Sequence, residues 1–127
     1  MQIKVHIRKE DVSKVEGITR GDVCLVVFDG IDSVQRGCRP AVVIGNDIGN
    51  KHSPILLVTP ITSKTHKAKL PTHVMIPEGE AGLIRDSMVL AEQIHTISKN
   101  QVTKKIGSLS KNFQTTIDKA VKVALAL

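Results

Sequence analysis

Ala41-Val42-Val43-Ile44 and Ile55-Leu56-Leu57-Val58-Thr59-Pro60-Ile61 are two short apolar runs rich in β-branched residues, and Gly45, Gly49 and Pro54 stand between them. Runs of this length, bounded by turn formers, read as strands. The same pattern recurs outward at residues 23–28, 74–76, 88–91 and 94–97, punctuated by Gly30, Gly37, Pro71 and the stretch 78–82. That spacing predicts a small all-β barrel or sandwich. Pro40, Pro54 and Pro60 lack a donor N–H and are expected at strand starts or edges. The period changes only near the C-terminus. Phe113, Ile117, Ala120, Val121, Ala124 and Leu125 repeat at three and four behind a candidate N-cap, Ser110, which predicts an amphipathic helix over 111–126. A short helical turn is expected after Ser98. Ile3, Val5 and Ile7 alternate with Lys4, His6 and Arg8, the pattern of an edge strand, while 8–19 is polar and linker-like.

The chain has 127 residues, 41% apolar and 24% charged, which fits one ordinary globular domain. No apolar run approaches the roughly 18 residues of a membrane span. The N-terminus lacks the apolar block of a secretory signal, so a cytosolic protein is expected. Cys24 and Cys38 are not in a C-x-x-C arrangement and are expected as free thiols. The five histidines show no metal-ligand spacing, so neither a metal nor another cofactor is expected. The motifs of P-loop NTPases, dinucleotide enzymes, zinc proteases and serine hydrolases do not occur.

The net charge is +6, of which residues 36–69 carry +5, with six Lys/Arg against Asp47. Such a balance favours acidic partners, nucleic acid first. Aromatic residues amount to 2%, Phe28 and Phe113 alone, so the chain cannot build an aromatic stacking platform. Any RNA must then be held by charge and hydrogen bonds.

Six pieces stand out in order: Arg20-Gly21-Asp22-Val23; Gln35-Arg36-Gly37-Cys38-Arg39-Pro40-Ala41-Val42-Val43-Ile44; Asn46-Asp47; Thr59-Pro60-Ile61-Thr62-Ser63; Leu70-Pro71-Thr72-His73-Val74; and the run from Asp86-Ser87 through Glu92-Gln93 to Ile97. Each is weak alone. Together, in this order and spacing, they make the chain from Arg20 to Leu125 resemble the MazF/PemK family of bacterial toxin endoribonucleases. The resemblance implies an SH3-like (CcdB/PemK-like) β-barrel with a C-terminal helix over 20–127, leaving 1–19 as an extension without an assigned role. It also implies a cytoplasmic bacterial homodimer, a single-stranded RNA substrate cut without metal at a short sequence motif, and neutralisation by a MazE-like antitoxin peptide.

By the same resemblance Arg39 and Thr62 match the family's essential arginine and threonine. Their chemistry is sensible in its own right. Attack of an RNA 2′-hydroxyl on its phosphate needs a base, an acid and donors for the charge on phosphorus. A guanidinium stays protonated and grips two phosphate oxygens, and a threonine hydroxyl adds one fixed hydrogen bond. Glu92 is a further catalytic candidate at the position where the PemK branch carries its base, although the arginine two residues earlier in that branch is Leu90 here. Its plain alternative is a structural carboxylate paired with a basic neighbour. By the same resemblance Ser33, Asn46 and Gln93 match positions at which relatives contact RNA, and Gln35 and Ser63 are further candidates; the amides among them offer a base edge both a donor and an acceptor. Lys64, Lys67 and Lys69 are expected to track the phosphate backbone. His73 and His95, in strand-like runs, read as structural groups. The runner-up function is a non-enzymatic module of the same fold, gyrase-directed or nucleic-acid-binding. CcdB-type gyrase poisons carry a C-terminal Trp-Gly-Ile, however, and this chain ends Ala124-Leu125-Ala126-Leu127.

Overall fold

The computed structural model describes residues 15–28, 37–66 and 70–127. Seven strands form an antiparallel sheet: β1 (Asp22–Phe28), β2 (Gly37–Val43), β3 (Ile55–Thr62), β4 (His73–Ile76), β5 (Ser87–Leu90), β6 (His95–Ser98) and β7 (Val102–Ser108). Their spatial order is β4-β5-β3-β2-β1-β7, with β6 pairing β3. β3 is the hub. One flank pairs first with β6, from Ile55↔Ser98 to Val58↔His95, and then with β5 at Ile61↔Val89 and Thr62↔Met88. The other flank pairs with β2. Two successive partners on one flank curl the sheet, yet β4 and β7 do not pair with each other among the described residues. The expected SH3-like barrel is thus an open one.

The central stretches of β1, β2, β3 and β5 are apolar on successive residues because both faces of the sheet are covered there. Val23, Val42, Ile61 and Val89 form one core with Ile117 and Ala120 of α2 (Lys111–Leu125). The alternate residues Cys24, Val26, Ala41, Val43, Leu56 and Val58 form a second core with Ile97, Val102 and Ile18. α2 matches the predicted helix closely, but Ser110 makes no side-chain cap; its N–H donates to Glu80 Oε1 at 2.8 Å. The turn expected after Ser98 is a 3-10 turn at Lys99–Gln101. Its capping box has Ser98 accepting from Asn100 N–H and Gln101 Oε1 accepting from Ser98 N–H.

Two elements escape the periodicity. α1 (Asp47–His52) is too short to show a helical repeat, and its only signal is its N-cap, Asn46, whose Oδ1 accepts from Gly49 N–H at 2.8 Å. β7 reads as polar because it lies at the sheet's edge and buries only Val102 fully, and its pairing with β1 is bulged. The prolines follow the edge rule in part. Pro54 precedes β3, and Pro40 lies where β2 is paired with β1 alone. Pro60 sits inside β3, opposite Ala41; it is tolerated because the other flank changes there from β6 to β5.

The edge-strand reading of Ile3, Val5 and Ile7 lies outside the described residues. The end of the N-terminal stretch is not linker-like, because Ile18 is buried in the second core and Thr19 N–H donates to Asp22 Oδ2 at 2.7 Å. From there a polar clamp continues. Asp22, 1% exposed, also accepts from Ser108 Oγ at 2.6 Å and faces Lys105 Nζ at 3.1 Å, locking β1 to β7. Arg20 pairs with Asp118 of α2 and donates through Nε to the Ile44 carbonyl, while its N–H meets Asp47 Oδ1. Gly21 between them has φ +90°, and a Cβ there would lie 2.3 Å from the Gln114 side chain. The Arg20-Gly21-Asp22 motif therefore holds the fold together.

Candidate active site

β2 and β3 decide the site. Their pairs Val43↔Val58, Val42↔Thr59 and Ala41↔Pro60 share one register, and Arg39 and Thr62 stand two residues beyond its last pair, at the same alternation as Ala41 and Pro60. Both side chains then project from the same face of the sheet. Arg39 comes from the exposed half of β2 and Thr62 from the last position of β3, and both line one open cleft of about 290 Å³. Thr62 is held by its own turn. Its Oγ accepts from Lys64 N–H at 3.1 Å, which leaves the hydroxyl hydrogen as the part that can donate into the cleft. Ser63 and Cys38 also line it.

The cleft is also lined by residues to which the sequence reading gave no site role: Leu83, Ile84, Arg85 and Ser87. Arg85 adds a second exposed guanidinium. It stands on a braced bend in which Ser87 Oγ donates to the Arg85 carbonyl at 2.9 Å and Asp86 Oδ1 accepts from Glu78 N–H at 2.8 Å. The Asp86-Ser87 pair that helped to carry the family resemblance thus shapes the bend, and its neighbour carries the charge. The available signal was a basic residue directly before that pair.

The other candidates scatter. Asn46 caps α1, which joins the ends of β2 and β3 remote from Arg39 and Thr62. Glu92 and Gln93 follow β5 at the end away from the cleft and are not among the cleft's lining residues. Gln93 N–H donates to the Leu90 carbonyl. Lys64 is exposed immediately after the Thr62-Ser63 pair. Ser33, Gln35, Lys67 and Lys69 lie outside the described residues.

Glu92 has its own local partners. Oε2 accepts from Thr72 Oγ at 2.8 Å and Oε1 lies 2.9 Å from His73 Nε2, while His73 Nδ1 accepts from Leu70 N–H at 3.2 Å. That N–H fixes the tautomer: Nδ1 must be bare, so the ring proton sits on Nε2 and points at Glu92. Burial pushes the Glu92 carboxyl upward, but its backbone N–H, His73 and Thr72 together outweigh burial and hold it below the ordinary glutamate value. The cluster ties the end of the basic β3–β4 connection to the end of β5. His95 is also structural, packed edge-on against Phe28 with its pKa lowered by burial. Cys24 is buried and its thiol is pushed up to about 11 by burial, which leaves it protonated and inert at neutral pH. Among the described residues no three His, Cys, Asp or Glu side chains converge as a metal site, and no helix is long and apolar enough to cross a membrane.

Comparison with known proteins agrees with this architecture. The chain is 45% identical over 111 residues to endoribonuclease EndoA of Bacillus subtilis, spanning 87% of this chain and 96% of that protein. It is 42% identical over 109 residues to endoribonuclease MazF of Staphylococcus saprophyticus, spanning 85% and 91%. Among solved structures it superposes on MazF of Deinococcus radiodurans with a TM-score of 0.73 at 17% identity, covering 87% of this chain and 97% of that one. A mycobacterial endoribonuclease in complex with its cognate antitoxin gives 0.72 at 22% identity, with the same coverage. The family model for the PemK-like, MazF-like toxin of type II toxin–antitoxin systems matches residues 19–125, and the chain belongs to that family.

Proposed function

We propose that this chain is an endoribonuclease toxin that cuts single-stranded RNA in the Arg39–Thr62 cleft, using the substrate's own 2′-hydroxyl and no metal. The observation that supports the reading is one open cleft lined by both Arg39 and Thr62, from adjacent antiparallel strands, in a chain 45% identical to an endoribonuclease. The 2′-oxygen forms a bond to phosphorus as its proton leaves, and the bond to the 5′-oxygen breaks as that oxygen gains a proton. The products are a 2′,3′-cyclic phosphate and a 5′-hydroxyl end. Arg39 holds two phosphate oxygens and Thr62 donates to the same group, stabilising the negative charge that grows on phosphorus.

Ser63 and Lys64 extend the contact along the strand, and Ser33, Gln35, Asn46, Lys67, Lys69 and Gln93 serve an RNA path beyond the scissile bond. Glu92 enters as a positioning residue, since both its oxygens are engaged with Thr72 and His73. An acidic, partly disordered MazE-like antitoxin peptide would neutralise the toxin by competing for the same cations. The functional unit is a homodimer in the bacterial cytoplasm.

The test is incubation of the purified chain, with EDTA present, against a long unstructured RNA beside an Arg39→Ala control, mapping the product ends. Discrete cuts with 5′-hydroxyl ends that vanish in the control are expected. Intact RNA across many sequences would overturn the enzyme reading.

A further inference from the structure

The cleft that Arg39 and Thr62 line holds two further features, Ile84 and Arg85, that cleavage of the bond itself leaves unused. Ile84 is 81% exposed, although the residue before it, Leu83, is buried in the core. Isolated apolar residues on a surface are ordinary. Ile84 differs in its place, at the rim of a cleft that also holds the charge of Arg39 and Arg85. Its bend is rigidly braced. Gly79 N–H donates to the Leu83 carbonyl, Leu83 N–H donates to the Glu80 carbonyl, and the Ser87 and Asp86 side chains close the other end. On the far side, Gly107 of β7 meets Ala81 so closely that a Cβ would lie 2.6 Å from the Ala81 backbone.

Neither aromatic ring is presented at this cleft. Phe28 is buried, and Phe113 packs against the first core from α2. A nucleobase next to the scissile phosphate has no aromatic partner among the described residues of the cleft, yet it has an aliphatic one beside a cation.

From this we infer that Ile84 and Arg85 form a nucleotide subsite flanking the scissile phosphate. Arg85 grips the neighbouring phosphate, and Ile84 covers one face of the neighbouring base. The inference rests on the ribonuclease reading of the cleft and adds to it how the adjoining nucleotide is held. An aliphatic face covers purines and pyrimidines alike and carries no donor or acceptor, so this subsite contributes affinity with weak base preference.

The experiment uses the full chain and an oligoribonucleotide containing its mapped cleavage site, made uncleavable by a single 2′-deoxy substitution, so that binding is read apart from chemistry. Wild-type binding is expected to weaken roughly five-fold when one flanking nucleotide is made abasic, the scale of losing one small apolar contact. Ile84→Ser is expected to weaken binding of the intact oligonucleotide similarly and to be insensitive to the abasic change. Arg85→Gln is expected to reduce the salt slope of binding by about 0.7, one phosphate on a single strand, with Arg85→Lys restoring it. Unfolding midpoints of all variants should match wild type, since both side chains are exposed. If wild type cuts RNA while the variants keep its affinity, abasic sensitivity and salt slope, the subsite is wrong and the cleavage reading stands. If wild type neither binds nor cuts RNA, both fall.

Discussion

Arg20 and Arg39 both belong to short motifs that carry the family resemblance, and the folded chain uses them in opposite ways. Arg20 is turned inward onto Asp118, the Ile44 carbonyl and Asp47, next to the buried Asp22. Arg39 stands on the exposed half of β2 and lines the cleft with Thr62 and Arg85. The difference lies in what surrounds each guanidinium. Arg20 has an acidic helix partner and a backbone carbonyl within reach, which makes it a staple between α2 and the sheet. Arg39 lines a cleft together with Arg85, Thr62 and Ser63, which on the proposed reading makes it a receptor for the substrate phosphate. A motif thus marks a residue as needed without saying whether the need is structural or chemical.

Exchanging the readouts at these two sites gives the sharpest test. Arg39→Ala should lower cleavage about 10³-fold, the scale of removing one donor to transition-state charge, while leaving the unfolding midpoint nearly unchanged. Arg20→Ala should do the reverse, lowering the midpoint with modest effect on cleavage once folded. Loss of stability with Arg39→Ala, or selective loss of activity with Arg20→Ala, would dissolve the distinction.

Asp22 anchors the structural side more deeply than Arg20. Replacing it with Ala removes the acceptor for Thr19 N–H and Ser108 Oγ and strands Lys105, which is partly exposed and so screened. Urea unfolding should show a destabilisation of about 3 kcal/mol, at the low end for a broken buried pair. A change below about 1 kcal/mol would mean that water replaces these bonds without cost.

A smaller effect depends on pH. The Glu92 carboxyl titrates below the ordinary glutamate value, so its contribution is fully present above about pH 4.3, the unfolded-state value, and is lost as pH falls through the folded-state value. In unfolding measured from pH 7 down to pH 3, wild type should therefore lose more stability than Glu92→Gln. Parallel curves would remove Glu92 from the structural side. The smallest change is at Thr59 in β3, whose fully buried hydroxyl has no hydrogen-bond partner among the described residues. Thr59→Val keeps the shape, removes the unsatisfied group and should stabilise by about 1 kcal/mol with cleavage unaltered. Destabilisation would point to a partner for the hydroxyl, such as an internal water.

Glu92 also shows where reading the sequence stops. The sequence left it between catalysis and a structural carboxylate paired with a basic neighbour, and only the fold brings its two oxygens to Thr72 and His73, twenty and nineteen residues away in the chain. Arg85 shows the converse. Nothing in its local spacing separates it from any surface arginine, and only the approach of the bend before β5 to the end of β3 puts it in the same cleft as Arg39.

The chain's sequence by itself determined the strand-rich class, the C-terminal helix, the basic balance and, through ordered motifs, the Arg39–Thr62 pair. The first three follow from local periodicity and residue chemistry, which are written along the chain, and the pair follows from the resemblance that the ordered motifs carry. The tertiary structure alone decided which arginine is a staple and which lines the cleft, that an exposed edge strand closes β1, and that Ile84 and Arg85 complete the wall. Those outcomes depend on strand register and on approach between residues distant in sequence, and one residue of register turns every side chain to the other face.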